Sequence, residues 1–333
     1  MRKRRLIVLL GLLLVAGACT PPATYRVVEG TMLGTTLRIV AQTPADAADL
    51  YREAMRVDRE AKASMSLFDE RSLLNRLNRS ETDSLDRHIA FNILLADSLS
   101  RLSGGAYDIT IAPLTRAWGF AGREADRRPN VDSLLQFVGY EKVRIEGNRL
   151  VKSDPRVQLD LNSIAKGYTV DLLAEMLEEQ GVENYLVDVG GEVRCRGVNR
   201  SGNAWRIGIE TPFDGNMTNG EHIQQRIALG EGALATSGNY RRFYLDAEGR
   251  KVAHTIDPHT GYSTLSRLLS ATVVAPSCAE ADALCTMLMA LGAERAVAFA
   301  EAHPVLPVYL IFSSDTEQEY EEYYSEAMRE RML

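Results

Sequence analysis

Apolar and polar positions alternate with period two over "TTLRIVA" (35–41), which predicts a strand with one buried face. "PADAADLYREAMRVDREAKASM" then changes to helical periodicity and predicts a helix starting near Thr43. "SLLNRLN" and "IAFNILLADSLSRLSGG" predict two more helices, the second stopped by Gly104–Gly105. Downstream the two periods interleave. "RVQLDL", "NYLVDV" and "EVRCRG" predict strands, and "SIAKGYTVDLLAEMLEEQG" a helix capped by Asn162 or Ser163 and beginning near Ile164. "RIGIE", "QQRIALG", "RRFYLD" and "RKVAHTI" predict strands joined by glycine-containing turns. "SCAEADALCTMLMALG" and "AERAVAFAEAH" predict helices, "LPVYLIFSS" a strand, and "EQEYEEYYSEAMRERML" a charged surface helix. The pattern implies one compact α+β unit, its strands mostly antiparallel.

The first residues stand apart. "MRKRR" is a basic leader, and the apolar run 6–18 is too short for a helix to cross a bilayer about 30 Å thick. The run ends in "AGAC", as bacterial lipoprotein signals do. We therefore expect a signal peptide over 1–18, lipid on Cys19, a tether over 19–24 and the folded domain over 25–333. Such an anchor implies attachment to a bacterial membrane on its extracytoplasmic or periplasmic side.

The 333 residues are 45% hydrophobic and 25% charged, an ordinary globular composition. Loss of the four basic leader residues takes the net charge from −7 to −11. An acidic domain without a basic block argues against nucleic acid as a partner. Cys195, Cys278 and Cys285 contain no CxxC and are odd in number, so buried free thiols are expected.

Candidate chemistry lies in five stretches. The helix from Cys278 is apolar nearly all round, and Ser277 with Glu280 has capping-box spacing. Asp282 and Thr286 fall one turn apart on one face. A buried aspartate there has two readings. It is a hard-oxygen metal ligand suited to Mg²⁺, or a carboxylate bonded to nearby backbone N–H groups. In "LDLNSIAKGYTVD", a helix N-terminus with Lys166 in its first turn suits an anion, although an ordinary capped helix would look the same. "SGGAYDIT" and "ATSGNYRR" read as glycine-rich turns with polar side chains. "HTIDPHTG" spaces His254 and His259 like a zinc motif, but Pro258 forbids the helical form and the segment reads as a tight loop. Gly230-x-Gly232-x-x-Ala235 matches the dinucleotide fingerprint only formally, since no helix follows it. No P-loop or GxSxG elbow is present.

Nine blocks taken in order resemble the ApbE family of flavin transferases: "GTMLGTT", "SLFDERSLLNRLN", "SGGAYDITIAPLTRAWGF", "LDLNSIAKGYTVD", "NYLVDVGGEVRCRG", "WRIGIETP", "ALATSGNYRRF", "HTIDPHTG" and "VVAPSCAEADALCTMLMALG". The resemblance spans Gly30 to Gly292. It implies a two-lobed, T-fold-related α+β domain that uses Mg²⁺ to transfer FMN from FAD to a threonine of an acceptor protein, releasing AMP. The acceptors it implies are membrane electron-transfer subunits of quinone-reductase or Rnf type. By block matching, Asp282 and Thr286 fall on metal positions, with further oxygens from Ser163 or the Ala165 carbonyl. Ala106, Tyr107, Asp108, Asp160, Lys166 and the backbone near Ile256 fall on FAD contacts. His254 falls on the general base, which leaves His259 to the turn. "MLGT" stands where the family has "TMGT", so Leu33 occupies a position usually held by methionine, with Met32 beside it. The competing functions are a FAD pyrophosphatase, in which water is the acceptor, and a flavin-binding lipoprotein without catalysis.

Overall fold

The computed structural model describes residues 23–121, 129–213, 216, 220–240, 243–246, 249, 251–264, 266–314 and 320–333. The signal peptide and Cys19 lie outside the described residues. Among those described, no helix is long and apolar enough to cross a membrane.

The chain opens with a hairpin of β1 (Thr24–Met32) and β2 (Thr35–Thr43), followed by α1 (Ala47–Met65), α2 (Leu73–Asn78), α3 (Arg87–Ser103), α4 (Ala112–Ala117) and α5 (Val131–Leu135). A small hairpin, β3 (Val143–Glu146) and β4 (Arg149–Lys152), leads to α6 (Ala165–Glu179). Next come β5 (Tyr185–Val189), β6 (Glu192–Arg196), β7 (Trp205–Glu210), β8 (Ile223–Leu229), β9 (Gly232–Gly238), β10 (Phe243–Leu245), β11 (Lys251–Ala253) and β12 (Leu268–Ala275). The chain finishes with α7 (Cys278–Leu291), α8 (Ala293–Ala302), β13 (Val308–Ser313), β14 (Tyr320–Tyr324) and α9 (Glu326–Arg329).

Eight strands form one sheet in the order β1-β2-β5-β6-β9-β12-β13-β14. Every neighbouring pair is antiparallel. Strand β9 shows how the sheet separates two cores. Ala233 and Ala235 join the core that contains α1, α3, α6 and α7, while Leu234 between them points to the other face. There it meets Trp205, Ile207 and Ile227 of the β7–β8 hairpin. A third, smaller core gathers Leu114, Val131, Val138 and Ile256. The α+β class, the antiparallel strands and the free buried thiols agree with the sequence reading.

Several local expectations need correction, each for a tertiary reason. The C-terminal surface helix is instead the edge strand β14 followed by the one-turn α9. Strand pairing with β13 wins there, because Tyr324 stacks on the buried Tyr309 at 5.0 Å and Glu322 accepts the Tyr309 hydroxyl at 2.7 Å. "RVQLDL" makes only one bridge, Gln158 to Ile111. The Asn78 side chain replaces a neighbouring strand there, accepting from Leu159 N–H and donating to its carbonyl. "ATSG" is not a turn; it is the end of central strand β9. That assignment also removes the formal dinucleotide match. Helix α1 starts after Asp46, whose carboxylate accepts Asp49 N–H, and not at Thr43, which ends β2. Helix α6 follows Ile164 without a side-chain cap, because Ser163 is committed elsewhere.

Trp205 tests the independence of the two cores. It is 6% exposed and donates its indole N–H to the Arg196 carbonyl. Trp205→Ala is expected to cost about 3–5 kcal/mol of stability by chemical denaturation. The packing of α6 against α7 should stay unchanged in the folded fraction, since those helices lie on the opposite face of the sheet.

Candidate active site

The centre of the site is the crossing of α6 and α7. Ser277 caps α7 by accepting Glu280 N–H, as its spacing predicts. The next two N–H groups, of Cys278 and Ala279, both donate to Asp171 of α6 at 2.8 Å, and Arg194 of β6 completes that carboxylate's partners. The two helices touch at Gly167. A Cβ there would lie 2.2 Å from the Cys278 carbonyl oxygen and 2.8 Å from the Asp282 Cβ, so only glycine permits this approach. Gly167 N–H donates to Asp282 Oδ2 at 2.9 Å.

Asp282 is therefore a buried carboxylate, 4% exposed, with one backbone donor. Burial pushes its pKa up to about 8, and the neighbouring Glu192 carboxylate adds to the shift. The backbone-bonded reading of Asp282 therefore holds, with a single N–H donor and with Glu192 repelling its charge. Lys166, in the first turn of α6, pairs with Glu192 Oε2 at 2.5 Å. Burial works against the lysine charge, but Glu192 and Asp282 outweigh it and hold the ammonium above its usual pKa. Two buried acids facing one lysine leave this pocket short of positive charge.

The oxygen atoms around it come from several elements. The Thr286 hydroxyl lies 3.3 Å from Ser237 Oγ at the end of β9. The Ala165 carbonyl accepts the Thr169 hydroxyl at 2.7 Å. Ser163 Oγ is 2.9 Å from the Tyr107 hydroxyl. Among the described residues, no three His, Cys, Asp or Glu side chains cluster as a metal site. One carboxylate with hydroxyls and carbonyls does not suit zinc. It does fit Mg²⁺, which keeps several waters and needs few protein ligands.

The run expected to meet the flavin is a rigid turn. Ala106 and Tyr107 are buried, and Tyr107 feels the charges of Asp282, Asp160 and Asp108. Burial moves the Asp108 pKa up to about 6, while hydrogen bonds from the Thr110 hydroxyl and N–H oppose the shift. Asp160 accepts from Thr115 Oγ1 and Asn162 N–H. Leu33 occupies the tip of the β1–β2 hairpin with a φ of 50°, beside Gly34 at 78°. Its N–H donates to Asp58, and Met32 points into the core at 1% exposure. Leu33, at the tip, is partly buried against the same core, whereas Met32 lies fully inside it.

The stretch 254–261 is a loop, as read. Asp257 organises it by accepting Gly261 N–H on its carbonyl and His259 N–H on its carboxylate. Ile256 is buried in the third core. Thr255 donates to Asn239, two residues beyond Ser237, so His254 joins the β9 end of the site through its neighbour. His259 is exposed but not remote: its Nε2 lies 3.2 Å from the position a Cβ on Gly105 would occupy. The 105–108 turn and the histidine loop therefore meet.

The site thus sets buried acids, a lysine and hydroxyls at a helix crossing on one face of an antiparallel sheet, within a mixed α+β fold. The comparisons identify the family. The ApbE family profile matches residues 33–310, and the chain belongs to the ApbE family. It is 39% identical over 337 residues to the FAD:protein FMN transferase of Vibrio cholerae, with 97% of each chain covered. It is 34% identical over 326 residues to the protein of that name from Haemophilus influenzae, covering 93% of this chain and 92% of that one. The structure of the flavin transferase ApbE from Vibrio cholerae superposes with a TM-score of 0.81 at 37% identity, covering 93% of this chain and 100% of that one. The apo flavinyl transferase ApbE of Pseudomonas stutzeri gives 0.82 at 28% identity, covering 93% and 97%.

The sequence reading assigned no role to Glu192, Asp171, Arg194, Ser237 or Asn239. Glu192 lay inside a matched block, but a strand glutamate carries no signal of burial until its lysine partner is placed.

The raised Asp282 pKa has a definite sign in stability. The folded state holds this proton where the unfolded chain has released it. The contribution is therefore full below about pH 4 and is lost as pH rises toward about 8. Without divalent cations, the melting temperature should fall over that range, and Asp282→Asn should flatten the fall. An unchanged slope in the variant would refute the assignment.

Proposed function

We propose that this chain transfers FMN from FAD to a threonine hydroxyl of an acceptor protein, with AMP as the other product. The observation that carries the reading is the buried, under-compensated Asp282, set one helical turn from Thr286 and beside Lys166. Family membership and relatives named FAD:protein FMN transferase support it. Asp282 and Thr286 would hold Mg²⁺, with Ser163 or the Ala165 carbonyl contributing. When bound, the ion offsets negative charge on the pyrophosphate.

The remaining roles follow from the chain's own groups. Lys166 would face the same anion from the first turn of α6, where the Ala165 and Gly167 N–H groups are already taken by the Leu161 carbonyl and Asp282. Ala106, Tyr107, Asp108, Asp160, Leu33 and the Ile256 backbone would seat the rest of FAD. The 105–108 turn is pre-ordered by its Thr110, Ser163 and Ser103 hydrogen bonds. His254 takes the proton of the threonine hydroxyl, whose oxygen then bonds to the FMN phosphorus as the P–O bond to AMP breaks. Lipid on Cys19 would keep the domain at a bacterial membrane on its extracytoplasmic or periplasmic side. That position would favour acceptors among membrane electron-transfer subunits of quinone-reductase or Rnf type.

The direct test mixes the protein, FAD and Mg²⁺ with a threonine-containing acceptor and looks for a flavin mass adduct together with AMP. AMP with free FMN and no adduct would instead identify a pyrophosphatase.

Two variants separate the roles. His254→Ala should retain FAD affinity and lose transfer by roughly 10²–10⁴-fold, together with the rising limb of the pH–rate profile. His259→Ala should lose far less, because Asp257 holds the loop through backbone N–H groups. An inactive His259→Ala beside a fully active His254→Ala would reverse the assignment. Asp282→Ala should abolish turnover more than it weakens FAD binding, and activity that persists in excess chelator would remove the metal from the scheme.

A further inference from the structure

The chemistry above gives Glu192 no role, yet its burial is unfavourable by itself. The β5–β6 turn through Gly190 and Gly191, with φ of 64° and 100°, sets a register in which Val189 pairs with Glu192. Val193 and Cys195 then enter the core on the far side of the sheet, while Glu192 and Arg194 face α6. There Arg194 gives Asp171 its cation, and Glu192 takes Lys166. Lys166 has a second acid in its field, because the amide that binds Asp282 belongs to the very next residue, Gly167. A lysine and an aspartate alone would form a neutral buried pair. Glu192, 3% exposed, adds an excess negative charge that repels Asp282. As a counter-ion it is redundant.

We propose that Glu192 is a positioning residue that holds Lys166 off Asp282 and so keeps that carboxylate open to a divalent cation. The proposal rests on the metal assignment made above and adds to it the group that protects the ligand. Among the described residues, the ion pair of Lys166 is with Glu192 at 2.5 Å, and Asp282 acts on it only from farther away. An ammonium on a flexible four-carbon stem is free to change partners. With Glu192 neutral, it would turn to Asp282, and an incoming cation would have to displace it. The strand that carries Glu192 is separate from both crossing helices, so the lysine is held from outside the pair it would otherwise complete.

The test reads Mg²⁺ affinity of the FAD-free protein by isothermal titration calorimetry, beside metal-free crystal structures of the same variants. Glu192→Gln keeps the shape of the side chain and removes its charge. It should weaken Mg²⁺ binding about tenfold, the usual effect of losing a group that orients a metal ligand. Its structure should show the Lys166 ammonium within hydrogen-bonding distance of Asp282. The melting temperature without metal should not fall, because a neutral pair replaces three buried charges. Lys166→Met added to Glu192→Gln should return the affinity to near the wild-type value, since the competitor is gone. An unchanged Mg²⁺ affinity in Glu192→Gln, or a Lys166 that stays away from Asp282, would overturn the proposal. So would weak binding that persists in the double variant, or a metal-soaked wild-type crystal in which Glu192 itself ligates the ion. A Glu192→Gln protein that melts lower or fails to fold would make the glutamate a structural counter-ion and overturn it too. Wild-type protein that binds no Mg²⁺ would overturn the metal assignment itself, a distinguishable failure.

Discussion

The structure turns on the contact between Gly167 and α7. With no side chain at that position, the two helices approach until one backbone N–H reaches the Asp282 carboxylate. Asp171 fixes the same crossing from the other direction, by accepting the first free N–H groups of α7. Each helix thus supplies an aspartate to the other's backbone. Sliding either helix by one residue would break three hydrogen bonds and leave buried carboxylates unpartnered, so the register of the site is fixed by the cost of losing them.

The same crossing explains the charge imbalance. Asp171 has a guanidinium and two N–H groups, and is satisfied. Asp282 has a single N–H, and Lys166 divides its field between Asp282 and Glu192. A buried acid left in this state stabilises nothing by itself. Its physical effect is to make the crossing favourable to a cation or a proton, while Lys166 beside it favours an anion.

Much of this was legible in the sequence because it is written in local patterns. The all-round apolar α7, its capping serine and the Asp282–Thr286 spacing locate one wall. The ordered blocks locate the others. What was illegible depends on partners far along the chain. Asn78 takes the place of a strand beside Leu159, Tyr309 draws residues 320–324 into the sheet against their helical composition, and Ser163 turns to Tyr107 instead of capping its helix. "ATSG" looked like a turn because small polar residues are common in turns. In β9 they are small because α7 packs directly over them, as the bond from the Cys285 thiol to the Ala235 carbonyl shows.

The partners at the crossing are also distant in time. Gly167 and Asp282 are 115 positions apart, and the sheet beneath them needs β12 and β13 before its helix-covered face is complete. Contacts of such long range form late, after the loop-closure entropy of the intervening chain has been overcome. A chain still being synthesised, or cut short before α7, contains Lys166, the 105–108 turn and the hairpin tip but lacks Asp282 opposite the lysine. The helix crossing therefore arrives only with the completed fold.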